Sequence, residues 1–262
     1  MKNNASGISF IIPAYNEENN IQEIVLLLKI SLNKAGLPYE IILVNDGSLD
    51  KTEAIAKLIK DITLINISHN KGYGNAIKSG ITVAHFAWIG IIDADMSYST
   101  KDIPEFIKQM SDNTDMVVGC RSNIAEIDNL ILRIPRWTFF ALIKILISND
   151  ILDPNCGLRI FKRNLVDKFK PYLCGTFSFT TSLTLAAKRN GSSIKYIPIK
   201  YLHRRGKSKI NYITDSFRAI KIVFKEAIYF YPKKLFIFLT IILLLIFLMA
   251  SLFKSIFSSI VH

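Results

Sequence analysis

Trp88-Ile89-Gly90-Ile91-Ile92-Asp93-Ala94-Asp95 decides the fold. Its unbroken apolar run predicts a strand buried on both faces, the kind found in parallel sheets. Two carboxylates follow at i and i+2, at the tip of that strand. The same pattern recurs on either side. Ile8–Ile12 is a strand ended by Pro13, and Glu40–Val44, Ile62–Ile67 and Met116–Val118 are three more. Between them lie helical patterns: Glu17–Ala35 behind an Asn16 cap and stopped by Gly36 and Pro38, Asp50–Ile59, Asn75–Ala84, and Asp102–Met110. Alternating buried strands and helices predict an α/β domain with a mostly parallel, Rossmann-like sheet and right-handed crossovers. Ligands in such sheets bind beyond the carboxyl ends of the strands, where Asp93 and Asp95 stand.

Composition narrows the class. The chain has 262 residues, half of them hydrophobic, and a mean hydropathy of +0.29, which excludes a disordered chain. Cys120, Cys156 and Cys174 are far apart with no C-x-x-C, which argues against a disulfide framework or a zinc ribbon and fits a reducing compartment. The net charge of +12 is uneven. Met1–Ala187 carries 19 basic and 19 acidic residues, whereas Lys188–Lys234 carries 13 basic residues against Asp215 and Glu226.

A nucleic-acid binder can be basic in this way, but the basic stretch abuts Leu235–Phe253, which has no charge, Pro or Gly. Nineteen helical residues reach roughly 28 Å, close to the hydrocarbon thickness of a bilayer. The reading is therefore a membrane protein with no nucleic-acid partner. Lys233 and Lys234 precede the span and Lys254 alone follows, which puts the large N-terminal part on the cytoplasmic face of an inner or plasma membrane. Ile8–Ile12 is too short for a signal-peptide core. Two further segments are amphipathic and basic. Leu130–Ser148 carries Arg133, Arg136 and Lys144 and is broken by Pro135. Asp215–Tyr231 places Arg218, Lys221 and Lys225 on one face, with Phe217, Ile220, Phe224, Ala227 and Ile228 over much of the rest. Both suit a bilayer surface better than an ordinary core helix pair. The organisation expected is a catalytic domain over 1–211 with a membrane-facing segment at 130–148, an interfacial helix over 212–232, a transmembrane helix over 233–254 and a tail over 255–262. The apolar span also offers a route to a homo-oligomer.

The chemistry lies at the strand ends. A carboxylate pair such as Asp93/Asp95 suits Mg²⁺ or Mn²⁺ holding a diphosphate, because a hard cation takes a few carboxylate oxygens plus phosphates and water. Asp46, before Gly47-Ser48, is either a turn residue or a ligand for ribose or base.

Together these residues resemble glycosyltransferase family 2, with its GT-A nucleotide-sugar fold. F10-I-I-P-A-Y-N-E-E18 resembles the family's opening strand, and V44-N-D-G-S-L-D-K-T52 resembles its D-D-G-S-x-D-x-T, with Asn45 for the first Asp. N70-K-G-Y-G-N-A76 resembles its N-x-G-x-x-x-A, and D93-A-D95 its metal motif. V118-G-C-R121, D153-P-N-C-G-L-R159 and H203-R-R-G-K-S-K-I210 resemble motifs of the polyprenyl-phosphate branch, typified by dolichol-phosphate-mannose synthases. The resemblance implies an inverting, metal-dependent hexosyltransferase that takes a nucleoside-diphosphate sugar of the GDP-mannose or UDP-glucose type to a polyprenyl phosphate. It implies a donor site of Pro13, Tyr15, Glu17, Val44, Asp46, Asp93, Ala94 and Asp95, with Arg204 and Lys209 on the diphosphate; Arg205 is adjacent. Asp93 and Asp95 would hold the metal. Ser97 stands where many members carry a Gln that helps, and is a weaker ligand.

The acceptor can be argued from the residues themselves. A sugar hydroxyl usually needs a carboxylate base, whereas a phosphate is already ionised near neutrality. No Asp or Glu occurs between Asp167 and Asp215. A phosphate needs cations instead, and Arg121, Arg133, Arg136 and Arg159 are the candidates. Asp153 is the one late carboxylate inside a family-like motif; it would bind the sugar, act as a base or turn the chain. The alternatives are transfer to a glycan or glycolipid hydroxyl, with Asp153 as base, and a catalytically dead membrane scaffold.

Overall fold

The computed structural model describes residues 7–123, 130–206 and 212–261, without the side chains of 130–135, 212–216, 230 and 252–261. In chain order the elements are β1 (Ile8–Ala14), α1 (Ile21–Ala35), β2 (Tyr39–Asp46), α2 (Thr52–Ala56), β3 (Thr63–Ile67), α3 (Tyr73–Val83), β4 (Trp88–Ile91), α4 (Ile103–Lys108) and β5 (Met116–Arg121). Then come α5 (Leu130–Leu146), β6 (Arg159–Lys162), α6 (Arg163–Phe169), α7 (Phe179–Arg189), β7 (Ile194–Ile199), α8 (Tyr212–Phe230) and α9 (Pro232–Val261).

The strands form one sheet in the order β3-β2-β1-β4-β6-β5-β7. All neighbours are parallel except β6, which runs antiparallel to both β4 and β5. β1 is buried at every position, as a strand covered on both faces must be. Gly90 lets β4 lie against it: a Cβ there would meet the Phe10 ring at 2.6 Å. β7 is the last strand in the order, where the missing N–H of Pro198 costs no ladder bond toward a further neighbour.

Local differences from the sequence reading have physical causes. α1 begins at Ile21, not Glu17, because Asn16 takes a left-handed φ of 52° and its side-chain oxygen accepts from the Leu49 amide instead of capping a helix. Gly36, at φ 71°, ends α1 as expected. Asp50 does serve the start of α2, accepting from the Thr52 amide at 2.9 Å. α5 is one helix that runs through Pro135 without a break.

Two apolar cores result. The larger fills both faces of the sheet. The smaller joins Phe139, Ile143 and Leu146 of α5, Leu185 of α7, and Val223 and Ala227 of α8, with Leu235 and Phe238 of α9 against it. The expectation that Ile220 and Ala227 face a bilayer is therefore corrected: they belong to this helix–helix core. The opposite faces stay open, with Trp137, Ile145, Phe217, Ile228 and Tyr229 exposed. Pro232–Ser251 of α9 is long and apolar enough to cross a membrane, with a mean hydropathy of 2.6 and none of it buried. Lys234 Nζ donates to Ile147 O at 2.8 Å, tying the start of α9 to the chain just beyond α5.

Candidate active site

The ends of β1 and β2 are laced together by reciprocal bonds. The Asn16 amide donates to Ser48 Oγ (2.9 Å), the Glu17 amide to Thr52 Oγ1 (2.8 Å), and the Lys51 amide to Glu18 Oε2 (3.0 Å). Asp46 is buried, and its two oxygens accept the Lys71 and Gly72 amides at 2.9 and 2.8 Å. It thereby gathers the first turn of α3 against β2, a structural task in addition to any contact with a nucleoside. Asn45, in place of the family's Asp, bonds Asn66 and the Ser48 amide, so it shapes the turn. Val44 is 0% exposed and Pro13 is buried in β1, so both contribute through the strand ends they form. Tyr15 is half-buried beside them, and Glu17 accepts from Asn20 Nδ2 at 2.7 Å.

β4 delivers Asp93, Ala94 and Asp95 to the same edge. Asp93 Oδ1 accepts from the Tyr73 hydroxyl at 2.7 Å. On its other side stands Gly157, where any Cβ would come within 2.4 Å of Asp93 Oδ2. Burial, and then the nearby Asp95 charge, push the Asp93 carboxyl up to about 7, against the pull of Tyr73, Arg204 and Arg121. Asp95 has both oxygens engaged: Oδ1 accepts from the Ser97 amide at 3.0 Å and Oδ2 pairs with Arg204 Nη2 at 2.9 Å.

These residues fit a divalent cation. Burial and the neighbouring Asp95 charge disfavour the ionised form of Asp93, a deficit of positive charge that a dication corrects. The Ser97 hydroxyl beside them is wholly buried and completes no hydrogen bond of good geometry among the described residues; it faces the Tyr201 phenol, whose pKa burial raises above its ordinary value. Among the described residues no three His, Cys, Asp or Glu cluster together, so diphosphate and water would complete the shell.

A strap from Tyr201 to Gly206 lies across this loop. Tyr201 bridges Tyr98, the Leu202 amide donates to Ser97 O, and the Arg205 amide donates to Asp95 O, both at 2.9 Å. Asn20 Nδ2 donates to Arg205 O at 3.1 Å, and the Arg205 guanidinium pairs with Glu23 at 2.6 Å. Of the two neighbouring arginines, then, Arg204 faces the Asp95 carboxylate and Arg205 faces α1. Lys209 lies outside the described residues.

The cations expected to hold an acceptor phosphate are dispersed. Arg121 forks onto Asp153, Nε to Oδ2 and Nη2 to Oδ1, at 2.7 Å each. Asp153 also accepts the Arg121 and Asn155 amides. Burial works against the Arg121 charge, but the adjacent Tyr98 and Asp153 outweigh it and raise its pKa. Its guanidinium also lies 5.3 Å from the centre of the Tyr201 ring. Arg159 is 0% exposed, and all five of its N–H groups are spent on Cys156 O, Pro154 O, Thr180 O and Thr184 Oγ1. The expectation that Arg159 reaches a phosphate is corrected: it is an internal strut for the 153–157 turn. Arg136 is half-buried on α5, and the Arg133 side chain lies outside the described residues.

Sequence reasoning missed the aromatic support. Tyr73 stacks on Phe177 at 5.9 Å while it holds Asp93. The Tyr98 hydroxyl accepts from the Gly157 amide at 2.8 Å. Arg218 of α8 reaches Thr176 Oγ1 at 3.0 Å, next to the Phe177 that stacks on Tyr73. The one signal available for these was Tyr73's place in a Gly-flanked turn.

Comparison with known proteins adds three findings. A family profile described as "Glycosyl transferase family 2" matches residues 9–169. Curated relatives include the undecaprenyl-phosphate 4-deoxy-4-formamido-L-arabinose transferase of Pectobacterium atrosepticum, 29% identical over 219 residues, which are 78% of this chain and 66% of that protein. The dodecaprenyl-phosphate galacturonate synthase of Rhizobium johnstonii is 28% identical over 170 residues, 62% of this chain and 50% of that one. The chain thus spans about two thirds or less of the relatives' length. Among solved structures, glucosyl-3-phosphoglycerate synthase of Mycobacterium tuberculosis superposes with a TM-score of 0.68 at 18% identity, covering 86% of this chain and 79% of that one. That likeness bears out the expected GT-A fold.

Proposed function

The chain belongs to glycosyl transferase family 2, and on that premise we propose that it moves a sugar from a nucleoside diphosphate to the phosphate of a polyprenol at a membrane surface. The observation that carries the choice of acceptor is the state of Asp153. Both its oxygens are committed to Arg121 in an enclosed pair, so it is poorly placed to take a proton from a sugar hydroxyl. A phosphate nucleophile needs no such base. The relatives, an undecaprenyl-phosphate and a dodecaprenyl-phosphate enzyme by name, support the same acceptor class.

In this reading the phosphate oxygen attacks the anomeric carbon in line, the bond from that carbon to the donor diphosphate breaks, and the configuration inverts. A bound Mg²⁺ or Mn²⁺ would neutralise charge gathering on the leaving diphosphate. Asp93 and Asp95 would hold it, Tyr73 and Gly157 fix Asp93, and Arg204 would meet the diphosphate, the role expected of Lys209 as well. The laced ends of β1 and β2 shelter the nucleoside. Arg218, bonded to Thr176 Oγ1 beside Phe177, and Arg136 of α5 are the cations assigned in this reading to the acceptor phosphate. α9 crosses the bilayer, and the open faces of α5 and α8 lie on its cytoplasmic surface.

The test uses the full chain in vesicles, with a panel of labelled nucleotide sugars, with and without undecaprenyl phosphate. Label should enter the organic-extractable fraction only when the lipid phosphate is present. Transfer that ignores the lipid phosphate and labels a glycan or glycolipid hydroxyl would overturn the proposal.

A further inference from the structure

Each oxygen of Asp95 has a partner within the protein. Its Oδ1 is held by the Ser97 amide and its Oδ2 by Arg204 Nη2. A dication brought to Oδ2 would stand beside a guanidinium at close range, and like charges at that range repel strongly in a partly enclosed site. The two cations therefore compete for one oxygen. Arg204 also has a donor in reserve: its Nε–H is enclosed and meets no acceptor among the described residues. A buried, unmatched N–H on a guanidinium is costly and is satisfied well by a phosphate oxygen.

The strap that carries Arg204 is pinned on either side of it. The Leu202 and Arg205 amides are bonded to the D-A-D loop, Asn20 holds Arg205 O, and Glu23 holds the Arg205 guanidinium. Gly206 follows at φ 107°, a conformation that favours glycine. The backbone beneath Arg204 is thus fixed, while its side chain, 26% exposed, has room to turn.

We propose that Arg204 is a built-in counter-ion that stands on Asp95 in place of the metal and moves to the donor diphosphate when metal and donor arrive together. This rests on the reading of the site as one for a nucleotide sugar. Its consequence is coupling. Metal alone must evict Arg204 into water and binds weakly. A diphosphate offers Arg204 a new anion, frees Asp95, and so raises the affinity for metal; by linkage, metal raises the affinity for the diphosphate equally. Arg204 would thus make the site respond to the metal–donor complex rather than to either alone.

The experiment measures Mn²⁺ binding by electron paramagnetic resonance on the full chain in detergent. Wild type, Arg204→Gln and Arg204→Lys are titrated with Mn²⁺ alone, then with Mn²⁺ plus UDP or GDP. Arg204→Gln should bind Mn²⁺ alone about 10-fold more tightly than wild type, with Arg204→Lys close to wild type. The tightening produced by a nucleoside diphosphate should be about 10-fold in wild type and largely lost in Arg204→Gln. Equal or weaker Mn²⁺ binding by Arg204→Gln overturns the proposal, as does wild-type Mn²⁺ affinity that neither nucleotide changes. The Mn²⁺-alone arm uses no donor or lipid. A failed lipid-transfer assay beside a tightened Arg204→Gln would therefore sink the acceptor reading and leave the exchange standing.

Discussion

The Arg121 guanidinium grips both carboxylate oxygens of Asp153 at 2.7 Å, with the two side chains 8% and 5% exposed. The pair links the end of β5 to the 153–157 turn, whose Gly157 faces Asp93. Its worth lies in the geometry it imposes, since two buried charges repay their desolvation only when they stay paired.

Removing one partner leaves the other buried and alone. Arg121→Ala and Asp153→Asn should each cost about 3–5 kcal/mol of stability, while a paired Arg121→Met/Asp153→Leu change costs much less. Thermal melting in detergent decides it. A fully stable but inactive Asp153→Asn protein would instead mark Asp153 as a base.

Tyr73→Phe keeps the ring stack on Phe177 and deletes the 2.7 Å bond to Asp93. A hydrogen bond to a charged group contributes about 1.5–3 kcal/mol, so the Mn²⁺ concentration needed for half-maximal transfer should rise about 10-fold or more. The melting point should fall by only a few degrees, with the fold intact. Asp93→Ala, Asp95→Ala and excess chelator should each abolish transfer.

Arg159→Lys keeps the charge but supplies three donors where five are in use. At least one buried carbonyl loses its partner, at about 1–3 kcal/mol each. Denaturant titration should show the loss, and transfer should fall with it because the 153–157 turn loosens.

Glu40 gives a pH-dependent contribution far from the site. Burial raises its pKa, but bonds from Ser9 and His85 outweigh this and leave it below its ordinary value of 4.5. A carboxyl with a lowered folded pKa adds stability that is present above its unfolded pKa and is lost as pH falls through the folded one. Wild type should therefore lose its advantage over Glu40→Gln as pH drops below about 4.5. Parallel melting curves of the two proteins down to pH 3 would refute this.

Trp137, 73% exposed on α5, offers a probe of whether that face meets a membrane surface. The chain has two tryptophans, so Trp88→Phe leaves Trp137 as the single reporter. Its fluorescence in vesicles should be quenched by lipids brominated near the headgroup. Unquenched emission would place the α5 face in water.

The five early strands were legible because each is an apolar run with a turn signal after it, and Asp93/Asp95 because two carboxylates at a buried strand's tip are conspicuous. β6 and β7 were not: Arg159 and Lys162 bracket the first, and Lys195 and Pro198 interrupt the second. Side-chain assignments failed where a partner is remote. Arg121 and Asp153 are 32 residues apart, and Asp46 meets the Lys71 and Gly72 amides from 25 and 26 residues away. Each looks like a free ionic group until the topology supplies its mate. Arg159 misled for another reason, since an arginine satisfied by carbonyls and hydroxyls carries no acidic neighbour to betray its burial.

The antiparallel insertion of β6 between β4 and β5 also sets an order of assembly. β1 to β4 pair among themselves, in the order β3-β2-β1-β4, and can close while synthesis continues. β5 pairs with β6 and β7, both made after it, so it must wait as an unmatched strand until residue 162 has left the ribosome. The D-A-D loop is therefore made early, and its Gly157 and Arg204 neighbours arrive late. A nascent chain halted before β6 would carry the carboxylates with Tyr73 on Asp93 but without Arg204 on Asp95, so the site would be completed only late in synthesis.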